Sequence, residues 1–118
     1  MIPFELEFLT FFVRSVLFMA PTLLVMTAII TGLGLWVGRR EGWAWPDALY
    51  YAFITATTVG YGDLHPTTGG SKLIAIGIAL TGLLLTGVLV SLAVTSASVA
   101  FELTHDVEAL REAYRLER

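Results

Sequence analysis

The sequence predicts an all-α membrane protein: two transmembrane helices flanking a shorter helix that enters the bilayer and turns back. Three observations carry this reading. Of 118 residues, 56% are hydrophobic and only 14% charged, whereas soluble domains carry about a quarter charged. The charges are also segregated. None falls in Ser15–Gly38 and none in Leu73–Phe101, and each run exceeds the roughly 20 residues that cross a bilayer. Between them lies a third uncharged stretch, Ala48–Gly62, which is too short to cross.

The composition also excludes several functions. The length suits one small domain. A net charge of −3 argues against nucleic acid as a partner. With no cysteine there is no disulfide or thiolate metal site. His65 and His105 stand too far apart for a local metal motif. No bound cofactor is expected.

Residues 1–15 come first. Glu5 and Glu7 sit where a signal peptide would carry positive charge, and no small-residue cleavage site follows. Phe4, Phe8, Phe11 and Phe12 share one helical face. That pattern predicts either an interfacial segment lying along the membrane or the start of the first span. The outer span is expected over residues 16–37, with Pro21 in its first turn or at a kink. Gly32 and Gly34 permit close helix contact. Trp36, Trp43 and Trp45 then bracket Arg39-Arg40-Glu41, as in an aromatic belt at the membrane–water boundary.

Pro46 and Asp47 mark a helix start, since proline suits the first helical position and aspartate complements the positive end of the dipole. A helix over 46–57 rises only about 18 Å and cannot cross. It must be re-entrant, and backbone lacking regular hydrogen bonds is tolerated at that depth only when buried in protein or lining water. One chain this small cannot provide that surrounding; four copies about an axis can. In Thr58–Gly62, Gly60 and Gly62 alternate with residues bearing side chains. Glycine reaches positive φ freely, so the alternation lets successive carbonyls point one way. Rings of such oxygens from several chains can replace the water shell of a potassium ion.

Leu64-His65-Pro66 and Gly69-Gly70 read as turns. His65 is either a solvated residue or a pH-sensitive one at the mouth of the site. The inner span is expected over 71–101, longer than the hydrocarbon core and so tilted or projecting. Thr86, Val90 and Val94 recur on one face. The hydroxyls of Thr86 and Ser91 either face water or bond their own backbone. In the tail, residues 102–118, Leu103, Val107, Leu110 and Tyr114 follow a coiled-coil spacing of about two heptads. His105, beside Asp106 and Glu108, belongs to a solvated face or to an internal pH sensor.

The stretch Thr55-Ala56-Thr57-Thr58-Val59-Gly60-Tyr61-Gly62-Asp63 resembles the selectivity filter of potassium channels. The layout from Val16 to Phe101 is similar to the two-transmembrane-helix bacterial members of that family. The resemblance implies a homotetramer with a pore helix at 46–57 and a filter at 58–62. Thr58, Val59, Gly60, Tyr61 and Gly62 would hold K+, Thr58 through both hydroxyl and carbonyl. Tyr50, Tyr51, Ile54 and Asp63 would support the filter, with a Tyr50–Asp63 hydrogen bond and a Tyr51–Tyr61 contact. Thr57, Gly82, Thr86, Gly87, Val90 and Val94 would belong to the cavity and gate. Gly82 stands at the family's hinge position, although close packing against the pore helix is its other use. Ile54 replaces a glutamate that promotes filter closure in some relatives, which implies weak inactivation. The function implied is passive, K+-selective conduction in the plasma membrane, with both termini cytoplasmic and no enzymatic step. The basic residues divide too evenly between the two sides to fix that orientation. A nonselective channel of the same architecture and the excised pore of a larger gated channel are the alternatives. A potassium-transporter repeat or a membrane adaptor fits less well, because the filter stands intact and alone.

Overall fold

The computed structural model describes residues 3–118. It contains three helices: α1 (Phe4–Glu41), α2 (Trp45–Ala56) and α3 (Gly69–Leu116). There is no strand among the described residues. The apolar stretches of α1 and α3 are long enough to cross a membrane and face almost entirely outward. Core helices of soluble proteins bury such residues, so these two belong in a bilayer.

Each helix end has a local cause. Glu5 and Glu7 lie in the first turn of α1 and Arg39 and Arg40 in its last, each matching the dipole. Gly42 ends the helix with φ +75, and the Trp43 N–H returns to the Gly38 carbonyl at 2.8 Å. That bond and the left-handed glycine form a Schellman stop. The start of α2 has Pro46 in its first turn and Asp47 beside it, with no side-chain cap. Thr68 caps α3: its Oγ1 accepts the Ser71 N–H at 3.3 Å. Its carbonyl accepts the Lys72 N–H at 3.0 Å.

The segment expected as a separate element at 1–15 is the first part of α1 from Phe4 onward; residues 1 and 2 lie outside the described residues. No breaker stands between Arg14 and Val16, and helix runs on through Pro21. Similarly, α3 continues without interruption through Glu102 to Leu116.

The chain divides into two compact units, residues 21–88 and residues 1–20 with 89–118. In the first, Ile30, Val37, Tyr51, Ala52, Ala56 and Ile78 form the core, flanked by Leu33, Trp43, Leu64, Ile74, Ala75 and Leu85. Small residues seat α2 there. A Cβ at Gly34 would collide with the Ala52 side chain, and one at Gly38 with that of Ala48. A Cβ at Gly82 would strike the Ala56 backbone. Glycine at these three positions allows the close helix approach that membrane packing exploits. Gly32, the other glycine expected to serve this purpose, has nothing within 4 Å of such a Cβ.

In the second unit Phe4, Phe8 and Phe12 stack along one face of α1, with centroids 6.4 and 5.8 Å apart. Leu103, Val107, Leu110 and Tyr114 of α3 are all exposed in the single chain.

Candidate functional site

The backbone leaves helical geometry at the end of α2. Thr57 closes the helix with φ −86 and ψ 6, its N–H bonded to the Phe53 carbonyl at 2.9 Å. Its hydroxyl donates to the same carbonyl at 2.6 Å. The Thr58 N–H reaches the Thr55 carbonyl at 3.2 Å, and the Gly60 N–H reaches the Ile54 carbonyl at 3.0 Å. The turn is thereby tied to the last turn of α2, through the main chain of Ile54 rather than its side chain.

Beyond that tie the chain alternates. φ is positive at Thr58 (64°), Gly60 (54°) and Gly62 (83°), and is not positive at Val59 or Tyr61. Two glycines take this conformation without steric cost. Threonine does not: a β-branched residue there carries roughly 1–2 kcal/mol of strain. None of the hydrogen bonds among the described residues ends on a carbonyl of Thr58–Gly62. Val59 is 50% exposed and Tyr61 72% in the single chain. Such a ribbon, oxygens unengaged and side chains bare, is incomplete at membrane depth until something surrounds it.

The predicted support residues divide. Tyr51 is buried, and its ring meets Trp43 edge-on at 5.1 Å and 65°. Its aromatic partner within the chain is thus Trp43. Tyr50 is exposed, and no hydrogen bond between it and Asp63 is found among the described residues, although Asp63 and Tyr61 lie near its hydroxyl. Ile54 is half-buried. On α3, Gly82 abuts Ala56, while Gly87 has open space around it. Thr86, Val90 and Val94 are exposed.

One participant has no local signal in the sequence. Glu41, the last residue of α1, accepts the Thr67 N–H at 3.0 Å, the Thr67 hydroxyl at 2.7 Å and the Thr68 N–H at 3.3 Å. The Thr68 hydroxyl lies 2.9 Å from the Ser71 hydroxyl, which is fully buried. These donors, the Thr67 hydroxyl foremost, hold the Glu41 carboxyl at about 2, well below the ordinary 4.5. The clamp fixes the segment leaving the ribbon to the end of the outer helix. The residues involved are 26 and 27 positions apart, a separation that no local pattern reveals.

Comparison with known proteins bears on this arrangement. The family described as Ion channel matches residues 16–98. The chain is 49% identical over 45 residues to two-pore potassium channel 1 of Arabidopsis thaliana, covering 38% of this chain and 12% of that one. It is 57% identical over 37 residues to a voltage-gated potassium channel of Aeropyrum pernix, covering 31% and 12%. It is 36% identical over 76 residues to potassium voltage-gated channel subfamily A member 5 of Mus musculus, covering 62% and 13%. The chain therefore spans about an eighth of the length of these relatives. No solved structure matches it. A match over most of the chain, on two outward-facing apolar helices and the alternating ribbon between them, places this membrane protein in the ion-channel family.

Proposed function

We propose that the chain is the pore-forming subunit of a potassium-selective channel, four copies of which surround one axis and pass K+ down its gradient. The observation that carries this reading is the alternation of φ at Thr58, Gly60 and Gly62 together with the unengaged carbonyls around them. Oxygens lined on one side of an extended ribbon can replace the hydration shell of K+ when several ribbons face each other. Thr58 would add its hydroxyl at the inner end, and Gly62 would close the outer mouth. K+ is then the permeant ion, and no cofactor or chemical step is involved.

The same facts support assembly. The exposed Val59 and Tyr61 need neighbours that a single chain does not supply. The exposed face of Thr86, Val90 and Val94 is proposed to line the water-filled part of the pathway, and the exposed leucine, valine and tyrosine row of the tail to join the four copies. The proposed setting is the plasma membrane with both termini in the cytoplasm. The names of the relatives, all potassium channels, support the choice of ion.

Flux into vesicles tests the reading. Reconstituted protein of tetrameric crosslinked size should admit rubidium far faster than lithium or sodium. Equal uptake of all three would point to a nonselective pore, and no uptake by assembled protein would remove the conduction claim.

A further inference from the structure

We propose that α1 bends at Pro21, so that its residues before the proline travel with the inner end of α3 when the channel opens. Opening rests on the channel reading, whereas the bend rests on packing alone.

Residues 1–20 and 89–118 form a compact unit of their own. On α1, Phe8, Phe12, Ser15 and Met19 are half-buried, at spacings of four, three and four. On α3, Leu92, Ser96, Ala100 and Thr104 recur every four residues and are covered likewise, with Ser96 2% and Ala100 0% exposed. Residues at these spacings share one helical face, so each row is a contact stripe. The small Ser96 and Ala100 allow close approach of a second helix. Residues of both helices line the same grooves: Phe4 with Ala97 and Phe101, and Ser15 and Met19 with Leu92. When the end of α3 swings outward, this seam draws the start of α1 along.

Each helix then needs a place to give. On α3, a Cβ at Gly82 would strike the Ala56 backbone, so a bend there disturbs the seat of α2. Gly87 has nothing within 4 Å of such a Cβ and stands beside Val88, where the 21–88 unit ends. On α1, that unit begins at Pro21. Proline offers no N–H to the Leu17 carbonyl, and its ring crowds that turn. The Pro21 side chain is exposed, so core packing does not require it, and alanine would hold the helix better. A helix-weakening residue with no packing duty, at the border of a packed unit, is suited to absorb a change of dihedral angles.

The full chain in vesicles tests this. Pro21→Ala should lower rubidium uptake at least about fivefold, the lower end of coupling between two sites. The dissociation temperature of the assembled protein should stay unchanged or rise, which separates lost motion from lost fold. Pro21→Gly keeps α1 weak at that point without the ring, and should retain the uptake of the parent chain. A second measurement needs no conduction. The sequence has no cysteine, and Leu9 and Leu24 are exposed on either side of Pro21. Spin labels on Leu9→Cys and Leu24→Cys, in assemblies diluted with unlabelled copies, would stand about 22 Å apart along a straight helix. The parent chain should give a broad distribution with a shorter component, and Pro21→Ala a narrow one. Parental uptake in Pro21→Ala overturns the proposal. So does an equal loss in Pro21→Ala and Pro21→Gly, or one narrow distance shared by the parent chain and Pro21→Ala. Absence of uptake by the parent chain removes the channel reading instead, and the distances then decide the bend by themselves.

Discussion

The carboxylate of Glu41 accepts two hydrogen bonds from Thr67, one from its N–H at 3.0 Å and one from its hydroxyl at 2.7 Å. This links the end of α1 to the segment that leaves the Thr58–Gly62 ribbon. The Glu41 carboxyl is held at about 2 against an ordinary 4.5, so its ionised form favours the folded state. The contribution is complete above pH 4.5 and is lost as pH falls through about 2. Glu41→Gln should lower the thermal dissociation temperature of the assembled protein at neutral pH. It should also flatten the dependence of that temperature on pH between 4.5 and 2. Thermal scans over that range check both effects.

Glycines of α1 and α3 should respond to substitution in opposite ways. Gly34→Ala and Gly38→Ala place a methyl against Ala52 and Ala48. Overpacking of this kind costs about 1–3 kcal/mol. Gly82→Ala meets the Ala56 backbone, which cannot rotate away, and should be at least as costly. Gly32→Ala meets nothing within 4 Å and should be neutral, or stabilising by up to about 1 kcal/mol through helix propensity. Dissociation temperatures of the four variants in one detergent rank them.

Gly60→Ala separates space from conformation. No atom lies within 4 Å of the added Cβ, but φ is +54, a region that side-chain-bearing residues enter at a cost of about 1–2 kcal/mol. The variant should insert and assemble at wild-type yield and lose discrimination between rubidium and sodium. Wild-type discrimination in properly assembled Gly60→Ala would mean that the positive φ is not needed for selectivity.

Ile54 meets the Thr58–Gly62 ribbon through its carbonyl, which receives the Gly60 N–H at 3.0 Å. An isoleucine side chain cannot pair with Asp63. Sustained activation should therefore produce little decay of current, and Ile54→Glu should speed the decay. Rapid, complete decay in the unmodified channel that this substitution leaves unchanged would count against the assignment.

The spans and the re-entrant helix were legible because charge exclusion and the Pro46-Asp47 start are properties of contiguous sequence. The positive φ values at Gly60 and Gly62 followed from residue type. Thr58 was not legible in that respect, since a β-branched residue reaches φ 64 only where its surroundings impose it. Gly38, rather than Gly32, faces α2, and this was readable only by matching the four-residue spacing of Gly34 and Gly38 to that of Ala48 and Ala52. The Glu41–Thr67 clamp joins residues 26 positions apart, and the Trp43–Tyr51 edge contact depends on how the turn after α1 folds against α2. Nothing in the local pattern around Arg39-Arg40-Glu41 distinguishes a clamp from a solvated loop.

The central claim is that the carbonyl ribbon at Thr58–Gly62 discriminates between K+ and Na+. It is tested most directly by the reversal potential of the reconstituted protein in a planar bilayer with K+ on one side and Na+ on the other. A strong displacement in the direction that favours K+ permeation is the predicted result. A reversal potential near zero, from protein of tetrameric size, would contradict it.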